Sequence, residues 1–594
     1  MSLEMRRARS RQMLIFLLVI IGIAVLLGRL FYWQVLQSQS GYQLAKLANN
    51  EHLQNQIVNA PRGIIYDIEG HILATNIVRD DLYFEPIQFG IDHSDNFEGD
   101  LKLLINTLRQ VVPTVRIDRL LAGIDHHWPT VRVAVRIEPQ QSEQLAQSVE
   151  RGELQKLGQP DIFLEPRTWR IYPGNNLAAQ VLGYVSEDEN NAHGVYGIEG
   201  QYNELLAGKP GSFSAETDLS GNPLVVGVNA QQPAVDGANL TLTINSTIQY
   251  MVQTGLADTV KNLKAQGGTV IVLNAHTGAV VAMAGEPTFD PNHYGDFANE
   301  KGCLGSEGVF LNPALYCAYE PGSTMKAVTM AAALDQGLIT PGTTLYDPGY
   351  IKLGDAPIVW NWNGRAYGIE TMTQVLEHSA NVGAAYVAYK VLGPDRYYPY
   401  LKSFGFGEPT DVDSPEAAGF YRSPGSQDWT SSDLTRQAFG QSILATPLQV
   451  ALAYETIANG GVMMRPYLVT NINDNGHTVT LQPQVVRRVI SARTAQVLTG
   501  MLVQVAIDGS AQSALVPGYT VAAKTGTATT QGFAVDQTEA SVAGFLPASN
   551  PQFVILVKID RPQATIYGGT AAAPLWKAIA QQLMWYYHVP PDRP

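Results

Sequence analysis

Apolar positions run without a break over residues 13–27 and, past Gly28 and Arg29, resume as Leu30, Phe31, Tyr32 and Trp33. Residues 13–33 together supply the ~20 positions a helix needs to cross the hydrocarbon of a bilayer. A cleaved secretory leader carries small residues just past its apolar part. Here that place holds Arg29, Leu30, Phe31, Tyr32 and Trp33, so the pattern predicts a retained anchor. Arg29 can lay its stem along the helix end and keep its head at the interface, and Tyr32 and Trp33 fit the headgroup level. Arg6, Arg7, Arg9 and Arg11 precede the run and set the N-terminus in the cytoplasm. The expected order is a cytoplasmic tail over 1–12, an anchor over 13–33 and the rest of the chain outside.

Beyond the anchor, residues 34–235 mix short helical and strand patterns with polar breaks, and residues 130–137 alternate at period two, as a strand with one wet face does. No catalytic cluster stands out there, and the segment reads as a mixed structural or docking domain. The texture changes at Asp236. Residues 240–244 read as a strand, and 269–273 and 280–283 flank Asn274-Ala275-His276-Thr277-Gly278 as a β-hairpin around a glycine turn. Residues 553–557 form a further buried strand pattern, and 573–586 place Leu575, Ile579 and Leu583 at i, i+4 and i+8 of a helix. Strands at both ends with helices between predict an α/β (α+β) domain over 236–594 whose sheet is closed by the two chain ends.

Composition narrows the classes. A length of 594 residues calls for at least two domains, and 45% apolar against 15% charged residues is enough for large cores. The balance of 39 basic and 53 acidic residues, net −14, argues against a phosphate-tracking surface and so against nucleic acid as a partner. Two cysteines cannot build a four-cysteine zinc cluster. Asp125-His126-His127 lacks metal-ligand spacing, and no metal or cofactor is expected.

The candidate chemistry sits in three short segments. Ser323-Thr324-Met325-Lys326 opens a run that is apolar almost all round, as a buried helix is. Ser323 and Lys326 are three apart and share a helix face. A lysine in an apolar pocket loses its charge more readily and can act as a base near neutral pH. Alone, Ser-x-x-Lys reads equally as a helix cap with a surface lysine. Ser379-Ala380-Asn381 is weaker, since Ser94-Asp95-Asn96 and Ser220-Gly221-Asn222 match the same pattern. Lys524-Thr525-Gly526-Thr527 ends a strand-like segment whose glycine permits close approach of another backbone. Its lysine and hydroxyls could grip a carboxylate, or belong to an edge strand with a solvated lysine.

In this order, within one domain, the three are the signature of the penicilloyl-serine transferases, and the chain closely resembles the class B penicillin-binding proteins. The resemblance extends through Arg62-Gly63-Ile64-Ile65-Tyr66-Asp67, Arg170-Ile171-Tyr172-Pro173, Gly197-Ile198-Glu199, Phe439-Gly440-Gln441 and Tyr567-Gly568-Gly569-Thr570. Ala523 and Ala327 depart from the family's usual glycine and proline without removing a reactive group. The resemblance implies a bacterial single-pass protein of the cytoplasmic membrane, with a pedestal of the dimerisation type over 34–235 and a transpeptidase domain over 236–594, an antiparallel sheet flanked by helices. Its activity would be the D,D-transpeptidation that cross-links peptidoglycan stem peptides. Ser323 would be the nucleophile, Lys326 its base, Ser379 a proton relay, Asn381 a holder of Lys326 and substrate, and Lys524 an electrostatic aid. Thr525, Gly526 and Thr527 would take the donor's carboxylate, with the Ser323 and Thr527 amides as oxyanion hole. Implied partners are stem peptides, β-lactam antibiotics and a SEDS-family glycan polymerase.

A β-lactamase shares the three motifs, but Glu408, Glu416 and Glu455 lack the Leu-Asn context of a deacylating glutamate. The alternative within the family is a catalytically weak scaffold that activates the polymerase. Cys303 and Cys317 flank a loop just before Ser323. Outside the cytoplasm they can close a disulfide or stay as two buried thiols.

Overall fold

The computed structural model describes residues 3–32, 53–186, 192–216, 230–303, 308–529 and 537–593. Trp33 and Ser220-Gly221-Asn222 lie outside them. The chain divides into two compact units. The first, residues 1–61 with 208–236, holds the helix Leu3–Phe31 and a three-stranded antiparallel sheet in which Gly211–Glu216 lies between Leu53–Val58 and Ala230–Gln232. Met13–Phe31 of that helix is long and apolar enough to cross a membrane, and none of its residues is buried.

The second unit contains residues 62–207 and 237–594. Its pedestal part is built on the long strand Ile72–Phe84, which pairs antiparallel with Ile162–Ile171 and with Val131–Ile137. The alternation read over 130–137 is not regular in the strand. Val133 and Ala134 are both buried, because the pairing with Ile72–Phe84 shifts register twice and Arg136 takes a φ of 52°, so consecutive side chains turn to the same side. Glu199 explains the spacing of the pedestal motifs. It is fully buried and accepts from Arg62 Nε at 2.6 Å and Arg170 Nε at 2.7 Å. Burial pushes its pKa up, but the two guanidinium groups outweigh that and hold it below the usual value. Arg170 also donates to the Gly63 carbonyl. A Cβ on Gly63 would stand 1.9 Å from the Ala238 carbonyl oxygen, so only glycine fits there. The pedestal sheet extends into the second half of the chain: Asn239–Leu242 runs parallel to Ile65–Tyr66 and antiparallel to Val469–Asp474, which pairs with His477–Thr480.

The second sheet is antiparallel throughout. Its strands are β1 (Gly267–Asn274), β2 (Val280–Glu286), β3 (Ala522–Thr529), β4 (Thr538–Leu546) and β5 (Phe553–Asp560), in the order β2-β1-β5-β4-β3. The expected hairpin is β1–β2, with Gly278 at φ +75° in its turn, and β1 against β5 closes the sheet with the two ends of the domain. Five helices matter for the site and its support: α1 (Ser246–Leu263), α2 (Met325–Asp335), α3 (Asn381–Tyr386), α4 (Ala492–Asp508) and α5 (Ala573–Tyr586). Asn245 caps α1 by accepting from the Ile248 amide. In α5 the expected Leu575, Ile579 and Leu583 are buried, and Trp576 is fully buried with its indole N–H donating to the Ile555 carbonyl at 2.9 Å. In α2 every residue from Met325 to Ala333 is buried, as its all-round apolar pattern requires.

Cys303 and Cys317 are joined in a disulfide with Cα atoms 6.1 Å apart, in the segment that leads into α2. Peptide mapping by mass spectrometry under non-reducing conditions is therefore expected to recover the two cysteine peptides joined. Two free thiols in the native chain would contradict this pairing.

Candidate active site

Ser323 lies in the 3-10 turn Gly322–Thr324 immediately before α2, one step outside the α-helical turn in which its sequence context puts it. The turn is held by contacts that only glycine allows. Gly322 has φ +59° and its amide donates to the Gly440 carbonyl at 3.0 Å. A Cβ on Gly440 would sit 2.1 Å from the Gly322 oxygen. On the far side Gly526 of β3 approaches the Pro321 carbonyl, where a Cβ would be 2.6 Å away. The close backbone approach expected of Gly526 is thus made to the chain that carries Ser323.

Lys326 follows on α2, fully buried. Its Nζ lies 3.0 Å from Ser323 Oγ, 2.8 Å from Asn381 Oδ1, 2.5 Å from the Ser379 carbonyl oxygen and 3.3 Å from Ser379 Oγ, more oxygens than its N–H groups can serve at once, so one of them is left to donate to it. Ser379 stands between the helix Met372–Glu377 and α3 with φ +56°, a left-handed conformation that costs a non-glycine residue about 1–2 kcal/mol. That conformation presents both its carbonyl and its hydroxyl to Lys326. Asn381 opens α3, and its amide nitrogen donates to the Trp360 carbonyl at 3.0 Å, which fixes the oxygen toward Lys326.

Lys524 reaches the same point from β3. Its Nζ donates to Ser379 Oγ at 2.9 Å, Ser510 Oγ at 3.1 Å and the Thr525 carbonyl at 3.2 Å. It lies on an edge strand, yet it is fully buried, unlike the solvated lysine such a strand suggests. Ser379 Oγ is therefore shared by two buried amines. Burial pushes Lys326 well below the ordinary lysine value, and the charge of Lys524 adds to the effect, against a smaller opposing pull from Glu370. Burial pushes Lys524 down to about 7. Two ammonium groups cannot cheaply share one dry pocket, so the arrangement favours a neutral Lys326, able to take the Ser323 proton, beside a charged Lys524.

Thr525 and Thr527 continue along β3. Thr525 Oγ1 donates to Ser510 Oγ at 2.9 Å, and Thr527 Oγ1 accepts from the Gly568 amide at 3.1 Å. The structure thus joins Ser323, Lys326, Ser379, Asn381 and Lys524 through direct bonds and sets Thr525, Gly526 and Thr527 beside them. Ser94-Asp95-Asn96 is separate: Asn96 precedes the pedestal helix Phe97–Val111 and bonds Asp100. Sequence reasoning missed Ser510. A single serine after Asp508-Gly509 carries no motif, and only its place beside Lys524 reveals it. Glu370 was missed as well. This buried carboxyl bonds His378 Nδ1 at 3.1 Å directly behind Ser379, and burial raises it to about 7, against the lowering contact with His378.

Comparison with known proteins agrees with this geometry. Residues 268–581 match the penicillin binding protein transpeptidase domain and residues 57–242 the penicillin-binding protein dimerisation domain. Penicillin-binding protein PbpB of Mycolicibacterium smegmatis is 34% identical over 450 residues, 73% of this chain and 67% of that protein. Peptidoglycan D,D-transpeptidase FtsI of Escherichia coli K12 is 28% identical over 586 residues, 97% of this chain and 91% of that one. The crystal structure of penicillin binding protein 3 from Mycobacterium tuberculosis, complexed with aztreonam, superposes with a TM-score of 0.66 at 28% identity, covering 91% of this chain and 99% of that chain. With its three motifs gathered round one buried lysine and both domains matched, the chain belongs to the class B penicillin-binding protein transpeptidases.

Proposed function

We propose that this chain is a peptidoglycan D,D-transpeptidase that cross-links stem peptides through an acyl-enzyme on Ser323. The observation that carries the reading is the 3.0 Å bond between Ser323 Oγ and a fully buried Lys326 that is itself held by Asn381 and Ser379. Ser323 Oγ attacks the carbonyl of the donor's penultimate D-alanine and gives its proton to Lys326. The oxyanion is stabilised by the Ser323 and Thr527 amides, typically worth several kcal/mol per donor removed, roughly 3. The proton then passes from Lys326 through Ser379 Oγ to the leaving nitrogen, the C–N bond breaks and terminal D-alanine departs. An acceptor amine attacks the ester, its proton returns to Ser323 Oγ through Lys326, and a new peptide bond replaces the lost one. Lys524, Thr525 and Thr527 receive the donor's terminal carboxylate. A β-lactam enters by the same first step but keeps its leaving group tethered, so the acyl-enzyme persists.

The single apolar helix Met13–Phe31 and the likeness to FtsI support a single-pass membrane protein. The four arginines before it put the N-terminus in the cytoplasm and the catalytic domain on the outer side of the bacterial cytoplasmic membrane. A SEDS-family glycan polymerase is the proposed partner, received by the exposed faces of that helix. Co-purification of the two in mild detergent is expected, and equal recovery of the polymerase with a chain whose helix is replaced by an unrelated span would contradict it.

The active-site reading is tested by intact-mass analysis of the full chain in detergent with excess benzylpenicillin. One stable adduct is expected on the wild type and none on Ser323→Ala. Rapid turnover of the drug by the wild type would indicate a β-lactamase, and a folded wild type without adduct would leave the scaffold reading.

A further inference from the structure

Beyond the end of α4, Gly509 and Ser510 bend the chain back toward the active site. Ser510 is fixed on two sides. Its amide donates to the carbonyl of Glu377 at 3.2 Å, at the end of the helix that leads into Ser379. Its own carbonyl oxygen packs so close to Gly569 that a Cβ there would stand 2.9 Å away. The hydroxyl between these anchors accepts from Lys524 Nζ at 3.1 Å and from Thr525 Oγ1 at 2.9 Å.

A serine hydroxyl has two acceptor sites and one proton. Both acceptor sites are taken, and the proton remains to be given. Thr525, for its part, spends its only hydroxyl proton on Ser510. For Thr525 to donate to an incoming carboxylate this bond has to reverse, so that Ser510 becomes the donor and Thr525 the acceptor while Ser510 still accepts from Lys524. In the reversed state both hydroxyl protons are given and Lys524 keeps its acceptor. Without the Ser510 oxygen, the buried Lys524 loses one of its three acceptors, and Thr525 loses the group against which it turns. Hydrogen bonds to charged groups are the costly ones to lose.

We infer that Ser510 is a positioning residue of the donor-carboxylate site, a hydroxyl that holds Lys524 and lets Thr525 reverse its hydrogen bond when the carboxylate arrives. The inference rests on the transpeptidase reading of the site and names a residue outside its three motifs. It predicts a specific defect. Losing Ser510 should weaken discrimination in favour of ligands that carry the carboxylate, rather than lower reactivity toward every ligand alike.

The experiment measures the second-order acylation constant of the full chain in detergent with benzylpenicillin and with its methyl ester, which lacks the charged carboxylate. In Ser510→Ala the preference for the free acid over the ester is expected to fall about tenfold, the loss of one hydrogen bond to a charged group. Ser510→Thr, which restores the hydroxyl, is expected to recover most of it. Ser510→Val matches threonine in shape without the hydroxyl and is expected to follow alanine, which separates the hydroxyl from any effect of packing. An equal loss on both ligands, no loss, or threonine and valine behaving alike would overturn the role of Ser510 while leaving Ser323 as the nucleophile. A folded wild type that neither ligand acylates would overturn the transpeptidase reading and this inference with it.

Discussion

Two buried amines on one hydroxyl are the constraint around which the catalytic domain is arranged. Lys326 comes from α2 and Lys524 from β3, and Ser379 Oγ lies 3.3 Å from the first and 2.9 Å from the second. In water the two would both be charged. In a pocket from which both are wholly hidden, each ammonium lowers the stability of the other, and desolvation penalises both. The pair relaxes by leaving one of them neutral. Lys326, pushed down by burial and by the charge of Lys524 and with the serine at hand, is suited to be the proposed base, and Lys524 to keep the charge that an anionic substrate group needs. Neither residue performs its part alone, because the basicity of one depends on the charge of the other.

Holding that pair together requires three stretches of chain to meet to within a fraction of an ångström, and glycine contacts do much of the fitting. The Ser323 turn is pressed between Gly440 on one side and Gly526 on the other, and Gly568 lies so near Gly526 that a Cβ would come 2.4 Å from its carbonyl oxygen. The left-handed Ser379 supplies the third side, at a local conformational cost that surrounding bonds must offset. Behind these contacts stands the antiparallel sheet, with β3 at its edge so that the outer side of Lys524-Thr525-Gly526-Thr527 meets the turn that carries Ser323. The sheet is braced by α5, whose Trp576 bonds the backbone of β5.

Much of this was legible in the sequence, for physical reasons that can be named. An uninterrupted apolar run, the all-round apolar α2, the glycine turn between β1 and β2 and the i, i+4, i+8 leucine and isoleucine positions of α5 are local signals, set within a few residues of one another. The order of the three motifs carried the family. What was not legible depends on contacts distant in the chain. Val469–Asp474 joins the sheet of Ile65–Tyr66 through Asn239–Leu242, and no local pattern announces such a pairing. Lys524 reads locally as a solvated lysine on an edge strand, and its burial is created by Ser379 and Ser510 from elsewhere. The irregular alternation in Val131–Ile137 follows from register shifts against Ile72–Phe84, which the strand's own residues do not encode.

The central claim, a neutral Lys326 beside a charged Lys524, is tested most directly by the pH dependence of the second-order acylation of the wild type by benzylpenicillin. Such a constant reports the ionisations of the free enzyme. On the acid side the rate should fall as Lys326 takes a proton and can no longer receive that of Ser323. On the alkaline side it should fall as Lys524, pushed down to about 7, loses the charge that receives the carboxylate. The account predicts a bell whose two limbs both lie well below the ordinary lysine value of 10.5. A rate that climbs steadily to pH values near 10.5, as an ordinary solvated lysine base would give, would contradict it.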